Sequence, residues 1–138
     1  MIKQIAYDDI QIGDYAEMRK TILAKDVDAF ASIVNDTESF HISDEVAQQF
    51  SFKKRICHGI HIASYISELV GKELPGFGTI YISQTLDFKK PVYLDSTIRI
   101  YVKVIEKLPN RRLSMLTIIT DDIEDIVLVG EAVVKTFK

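Results

Sequence analysis

Asp36-Thr37-Glu38-Ser39-Phe40-His41 puts a carboxylate and an imidazole five residues apart on what reads as one loop. Seventeen residues after His41 a second histidine follows, in Cys57-His58-Gly59-Ile60. The chain has three histidines in all, and these two stand at breaks in otherwise helix-like sequence. Histidine titrates near neutral pH, and a carboxylate beside it can orient the ring or share activation of a water molecule. Gly59 supplies another part. Without a Cβ it lets an acyl group approach the backbone, and an N–H at a helix start can stabilise negative charge growing on a carbonyl oxygen. These are the parts for proton transfer beside a carbonyl. Each also has a plain structural use: an Asp near a helix end often caps backbone groups, a loop histidine can hydrogen-bond locally, and His58-Gly59 can be a tight joint. His61 falls on another side of the chain's helical pattern and reads as structural.

The elements that must position these groups can be read from periodicity. Gly13-Asp14 marks a turn before a short alternating stretch, Tyr15 to Ile22. From Lys25, apolar Val27, Phe30, Ile33 and Val34 recur at helical spacing, which predicts an amphipathic helix ending near Asn35. Ser43 can cap a brief helix carrying Val46, Ala47 and Phe50, with Asp44 and Glu45 in its first turn. The most apolar helix runs from Gly59 to about Val70. Ile60, Ala63, Ile66, Ser67 and Val70 are expected on one face, with Ile62, Tyr65 and Leu69 making much of the rest apolar, so it is expected inside the protein. Gly71 and Pro75-Gly76 are expected to end it. Strand character follows. Ile80, Ile82, Leu86 and Phe88 lie two apart; Ile98, Ile100, Val102 and Val104 alternate; Leu113, Met115 and Thr117 lead to Ile119; and Val127, Val129 and Ala132-Val133-Val134 make another strand. Pro109-Asn110 and the acidic run from Asp121 to Asp125 separate them as hairpin connections. A helical first half and four later antiparallel strands predict an α+β domain over residues 1–138, with the sheet covering the buried helix.

Composition excludes several classes. At 138 residues and 47% hydrophobic content, roughly two-thirds of the chain's surface can be buried on folding without a disulfide or metal staple. The single Cys57 rules out an intrachain disulfide and fits a reducing compartment. A formal charge of -3 does not attract nucleic acid, and no apolar run approaches the roughly 20 residues of a membrane span. The expectation is a cytoplasmic protein with no nucleic-acid or membrane partner. The acidic run lacks the glycine and spacing of a calcium loop, and there is no His-Glu-x-x-His helix, nucleotide-binding glycine loop or serine-nucleophile elbow. Lys53-Lys54-Arg55 and Lys89-Lys90 could neutralise phosphates, although paired basic residues more often solubilise a surface.

Taken in order, Gly13-Asp14, Asp26-Val27-Asp28-Ala29-Phe30-Ala31, Asp36, His41, His58-Gly59, Leu74-Pro75-Gly76 and Phe88-Lys89-Lys90-Pro91-Val92 resemble the MaoC-like dehydratases, especially the single-domain (R)-specific enoyl-CoA hydratases. The likeness covers most of residues 13–95. It implies a hot-dog fold, a curved antiparallel sheet wrapped around the Gly59–Val70 helix. It also implies that this chain works as a homodimer, alone or within a larger assembly, with active sites between subunits. Asp36 and His41 match the family's catalytic pair, and Gly59 the residue whose backbone N–H holds the thioester oxygen. The implied reaction is reversible hydration of a trans-2-enoyl thioester, carried by CoA or an acyl-carrier protein, without metal, flavin or nicotinamide. Ile60, Tyr65, Leu74 and Phe77 are candidates for the acyl tunnel, and Lys53, Lys54, Arg55, Lys89 and Lys90 for phosphate contacts.

The loop departs from the family pattern. Asn35 stands where glycine is common, and Glu38-Ser39 where an asparagine-proline pair is common. Glu38 is expected to add negative charge near the substrate or the pair, and Ser39 to loosen the loop by removing the proline. Together with His58 these residues are expected to tune the site. A non-catalytic acyl-CoA-binding or assembly protein is the alternative reading, and a hot-dog thioesterase a third.

Overall fold

The computed structural model describes residues 2–138. After a 3-10 turn at Tyr7–Asp9 come β1 (Tyr15–Thr21), α1 (Ala24–Ile33), α2 (Asp44–Gln49), α3 (Gly59–Lys72), β2 (Ile80–Gln84), β3 (Asp87–Phe88), β4 (Thr97–Leu108), β5 (Arg112–Thr120) and β6 (Ile126–Lys135). The strands form one six-stranded antiparallel sheet in the order β1-β4-β5-β6-β2, with β3 also paired to β6.

Strict alternation along the long strands produces this layer. Ile98, Ile100, Val102 and Val104 of β4 face inward with Leu113, Met115 and Ile119 of β5 and Leu128, Ala132 and Val134 of β6. They share one core with Ile62, Ile66, Leu69 and Val70 of α3. Burying each such Leu, Ile or Val is worth about 1.5–3 kcal/mol, so this stripe anchors α3 on the sheet. Two tight connections hold the register. Asn110 and Arg111, both at positive φ, turn β4 into β5. Asp121 organises the acidic β5–β6 turn by accepting from the backbone N–H groups of Ile123 and Asp125.

Three expectations need correction and one is extended. The buried side of α3 is His61, Ile62, Ile66, Leu69 and Val70, whereas Ile60 is 58% exposed and Ser67 also faces out. The helix is apolar nearly all round, so periodicity could not say which side the sheet would cover. Gly71 does not end the helix, which continues to Lys72. Glu73 caps it, and the chain turns away at Pro75-Gly76, where Gly76 has φ +100 and a Cβ would strike the Lys3 carbonyl. The alternating stretch from Tyr15 joins the four later strands, as β1 pairs along β4 at an edge of the same sheet. Finally, the strand-like run from Ile80 to Phe88 is broken into β2 and β3, and its Ile80, Ile82 and Phe88 are exposed.

Candidate active site

The placement of Asp36 starts with how α1 ends. Asn35 takes the left-handed conformation (φ 56) just beyond the helix, a position that suits Asn or Gly. The N–H of Asp36 then donates to the Ala31 carbonyl at 2.8 Å and that of Asn35 to Ser32 at 3.4 Å, the paired bonds of a Schellman stop. This turn aims Asp36 back along the molecule.

The loop that follows is tied to the segment entering α3. His41 Nδ1 lies 2.8 Å from the Ile56 carbonyl. A carbonyl only accepts, so Nδ1 carries the proton and the neutral ring keeps its lone pair on Nε2. Arg55 Nε donates to the His41 carbonyl at 2.7 Å, and its guanidinium also binds Asp28 at 2.5 Å. The Arg55 N–H donates to Asp44, and Ser43 caps α2 as its position suggests, accepting from the Val46 N–H. Phe40 packs edge-on against His41, Phe50 and Phe52.

These restraints bring His58, the residue before α3, onto the loop. Its ring stacks on His41 with centroids 3.8 Å apart, and its Nε2 sits 2.8 Å from Asp36 Oδ2. Ser39 Oγ donates to the same Oδ2 at 2.7 Å while accepting from the His41 N–H at 3.0 Å. Asp36, His41 and His58 are therefore one cluster, with the side chains of His58 and Asp36 only 11% and 18% exposed.

The electrostatics follow from these contacts. The Ser39 hydroxyl, and then His58, hold the Asp36 carboxyl below its ordinary range against an opposing effect of burial. Burial pushes the His41 imidazole down, aided by the positive potential of His58 and opposed by the Ile56 carbonyl and Asp36. At neutral pH the pair is thus a carboxylate and a neutral imidazole with an available Nε2. His58 Nδ1 is buried without a hydrogen-bond partner among the described residues. A donor atom from each of Asp36, His41 and His58 lies within 4.8 Å of the others. The His58–Asp36 hydrogen bond and the stacking of His41 on His58 account for that closeness, and we assign no metal to it.

His41 faces a cavity of about 500 Å3 that also takes in Gly59, Ile60, Phe88, Lys89, Lys90 and Leu128. Gly59 is the first residue of α3, where backbone N–H groups lack intrahelical partners. A Cβ there would come within 2.7 Å of the Phe88 ring, so the absent side chain makes room for Phe88 as well as for any ligand. Cys57 also lines the cavity, but burial pushes its thiol up to about 12, which leaves it a poor nucleophile.

Several residues singled out in the sequence lie elsewhere. Leu74 belongs to the core, Phe77 is 57% exposed, and Tyr65 hydrogen-bonds His61; none of the three lines the cavity with Ile60. Lys53 and Lys54 are exposed outside it. Arg55 is committed to His41 and Asp28 rather than free for a phosphate. Lys90 is bound between Asp121 and Asp125 at 2.7 and 2.9 Å, which leaves exposed Lys89 as the less encumbered cation of that pair. Glu38 is exposed and not among the groups that bind Asp36 or His41. Ser39, expected to loosen the loop, instead bonds its two ends together. Phe88 reads in the sequence as a strand residue and as part of the family motif; its approach to Gly59 is tertiary.

Comparison with known proteins agrees with this architecture. Residues 10–124 match the family model of the MaoC-like domain. The chain is 36% identical to a 3-hydroxybutyryl-CoA dehydratase of Methylorubrum extorquens, over 99% of this chain and 87% of that protein. It is also 36% identical to an (R)-specific enoyl-CoA hydratase of Rhodospirillum rubrum, over 93% and 89%. The unliganded R-hydratase of Pseudomonas aeruginosa superposes with a TM-score of 0.93 at 34% identity, covering 98% of this chain and 87% of that one. The fold is the hot-dog fold of these hydratases. The chain belongs to the MaoC-like dehydratase family.

Proposed function

We propose that this chain catalyses the reversible hydration of trans-2-enoyl-CoA to (R)-3-hydroxyacyl-CoA, the activity named for its Rhodospirillum rubrum relative. The observation that carries the reading is the Asp36–His41 arrangement: a low-titrating carboxylate and an imidazole with Nε2 available, beside the cavity at the start of α3. In hydration, the Asp36–His41 pair takes a proton from water as the water oxygen bonds to C3. The electron pair of the double bond moves toward the thioester, forming an enolate. The Gly59 N–H donates to that oxygen, an interaction that strengthens as charge grows there. A proton delivered by the pair to C2 completes net addition of water, and dehydration reverses the order. Only a proton and a hydroxide are exchanged, so the chemistry calls for no redox cofactor.

The same reading makes the chain a homodimer in a reducing, cytoplasmic setting. β2 is an end strand of the sheet with Ile80, Tyr81 and Ile82 exposed, a face and edge suited to pairing with a second copy. The lone cysteine is buried and free. No helix of the described residues is long and apolar enough to cross a membrane.

Loss of enoyl-CoA absorbance on addition of purified protein tests the activity. D36N and H41A are expected to lower kcat at least 100-fold with unchanged circular dichroism, the scale of general acid–base contributions. No turnover across short and medium enoyl-CoAs, or release of free thiol instead, refutes the hydratase reading.

A further inference from the structure

We infer that the Ser39 hydroxyl is a positioning group for the proposed reaction: it locks the reactive carboxylate of Asp36 to the backbone of His41, so that the two halves of the pair move as one unit. The argument rests on the hydratase reading of Asp36 and deepens it.

Ser39 stands inside the loop, between the acid and the imidazole, and is half-buried. Its single hydroxyl makes two bonds of opposite sense. The proton goes to Asp36 Oδ2 at 2.7 Å and the oxygen accepts the His41 N–H at 3.0 Å. Donation is directed toward Asp36, since the His41 N–H can only be a donor and the carboxylate only an acceptor. The Ser39 carbonyl meanwhile accepts from the N–H groups of Ile42 and Ser43, both at 3.2 Å. The residue is thus held by its backbone on the far side of His41 and reaches back with its side chain to the acid.

The consequence lies in which oxygen it takes. Oδ2 receives both Ser39 and His58, and neither bond uses Oδ1. Two donors on one oxygen fix the plane of the carboxylate and leave Oδ1 without a hydrogen bond among the described residues. Without the hydroxyl, Oδ2 keeps one donor and the carboxyl regains rotation about its Cβ–Cγ bond. A misoriented carboxylate slows the proton transfer more than it weakens thioester binding, because Ser39 is not among the residues lining the cavity. Loss of a donor to the charged form also raises the acid's titration point.

The test compares wild type, S39A and S39T with a short trans-2-enoyl-CoA, alongside carboxyl 13C titration of Asp36 assigned through D36N. S39T keeps the hydroxyl and S39A removes it. S39A is expected to lower kcat about tenfold, the effect of one such bond on a barrier, with KM within about twofold. Its kcat/KM acid limb and its Asp36 titration should both move to higher pH, while S39T stays near wild type in all three readouts. Wild-type kcat in S39A, an unmoved Asp36 titration, or an S39T enzyme as slow as S39A overturns the inference. If wild type turns over no enoyl-CoA, the hydratase reading fails on its own, and the carboxyl titration still decides whether Ser39 holds Asp36.

Discussion

Replacing His58 by alanine tests whether the cluster works as a unit, because one ring serves two neighbours. Its Nε2 is 2.8 Å from Asp36 Oδ2, and its face covers His41 at 3.8 Å. A hydrogen bond to a charged partner is worth about 1.5–3 kcal/mol, and each 1.36 kcal/mol on the barrier is tenfold in rate. If the bond acts on the reactive form of Asp36, H58A should therefore lower kcat roughly 10- to 100-fold. The pH profile gives a second readout. Asp36 is held low partly by His58, so losing the ring raises its titration point. His41 is held low first by burial and further by His58, so uncovering its face raises its titration point as well. The proposed pair needs a carboxylate and a neutral imidazole, and both are then lost at higher pH than before. The acid limb of kcat/KM must shift toward neutrality. H58Q refines the test, since a side-chain amide can restore a donor to Asp36 without covering His41 with an imidazole. It should recover part of kcat and leave the His41 contribution to the shift, which histidine Cε1–H titration by NMR can follow separately. A folded H58A enzyme with wild-type kcat and an unmoved acid limb would refute the coupling.

Further substitutions probe the loop anchor, the cation beside the cavity and the Gly59–Phe88 contact. R55A removes the donor to the His41 carbonyl and the contact to Asp28, so steady-state kinetics should show a lower kcat with little change in KM; K89A should instead raise KM for CoA thioesters, and a KM effect confined to R55A would restore Arg55 as the phosphate contact. G59A drives a Cβ into the Phe88 ring, an overpacking that costs about 1–3 kcal/mol. In urea unfolding the G59A/F88A double variant should lose less than the sum of the two single variants, and simple additivity would show that Phe88 swings away freely.

What the sequence disclosed and what it withheld divide along one physical line. Alternation in β4, β5 and β6 is a local pattern that the pleat converts directly into an inward face, so Ile98 to Val104 could be placed before any fold was known. α3 offered no such contrast, and only the covering sheet decides that Ile62, Ile66, Leu69 and Val70 are buried while Ile60 is left facing the cavity. The site repeats the distinction. Asp36 and His41 are five residues apart on one loop, so their proximity is a short-range property of the chain. His58 reaches Asp36 only because the Ile56 carbonyl and Arg55 pin that loop to the entrance of α3. Ser39 is the instructive residue. Read by its backbone it is a lost proline and a looser turn; read by its hydroxyl it is a bond across the turn. Propensity describes the unfolded chain's freedom, whereas a side-chain bond to a carboxylate acts only once the loop has closed. The second effect need not be visible in residue type, because it depends on Asn35 turning Asp36 back toward Ser39 at the end of α1.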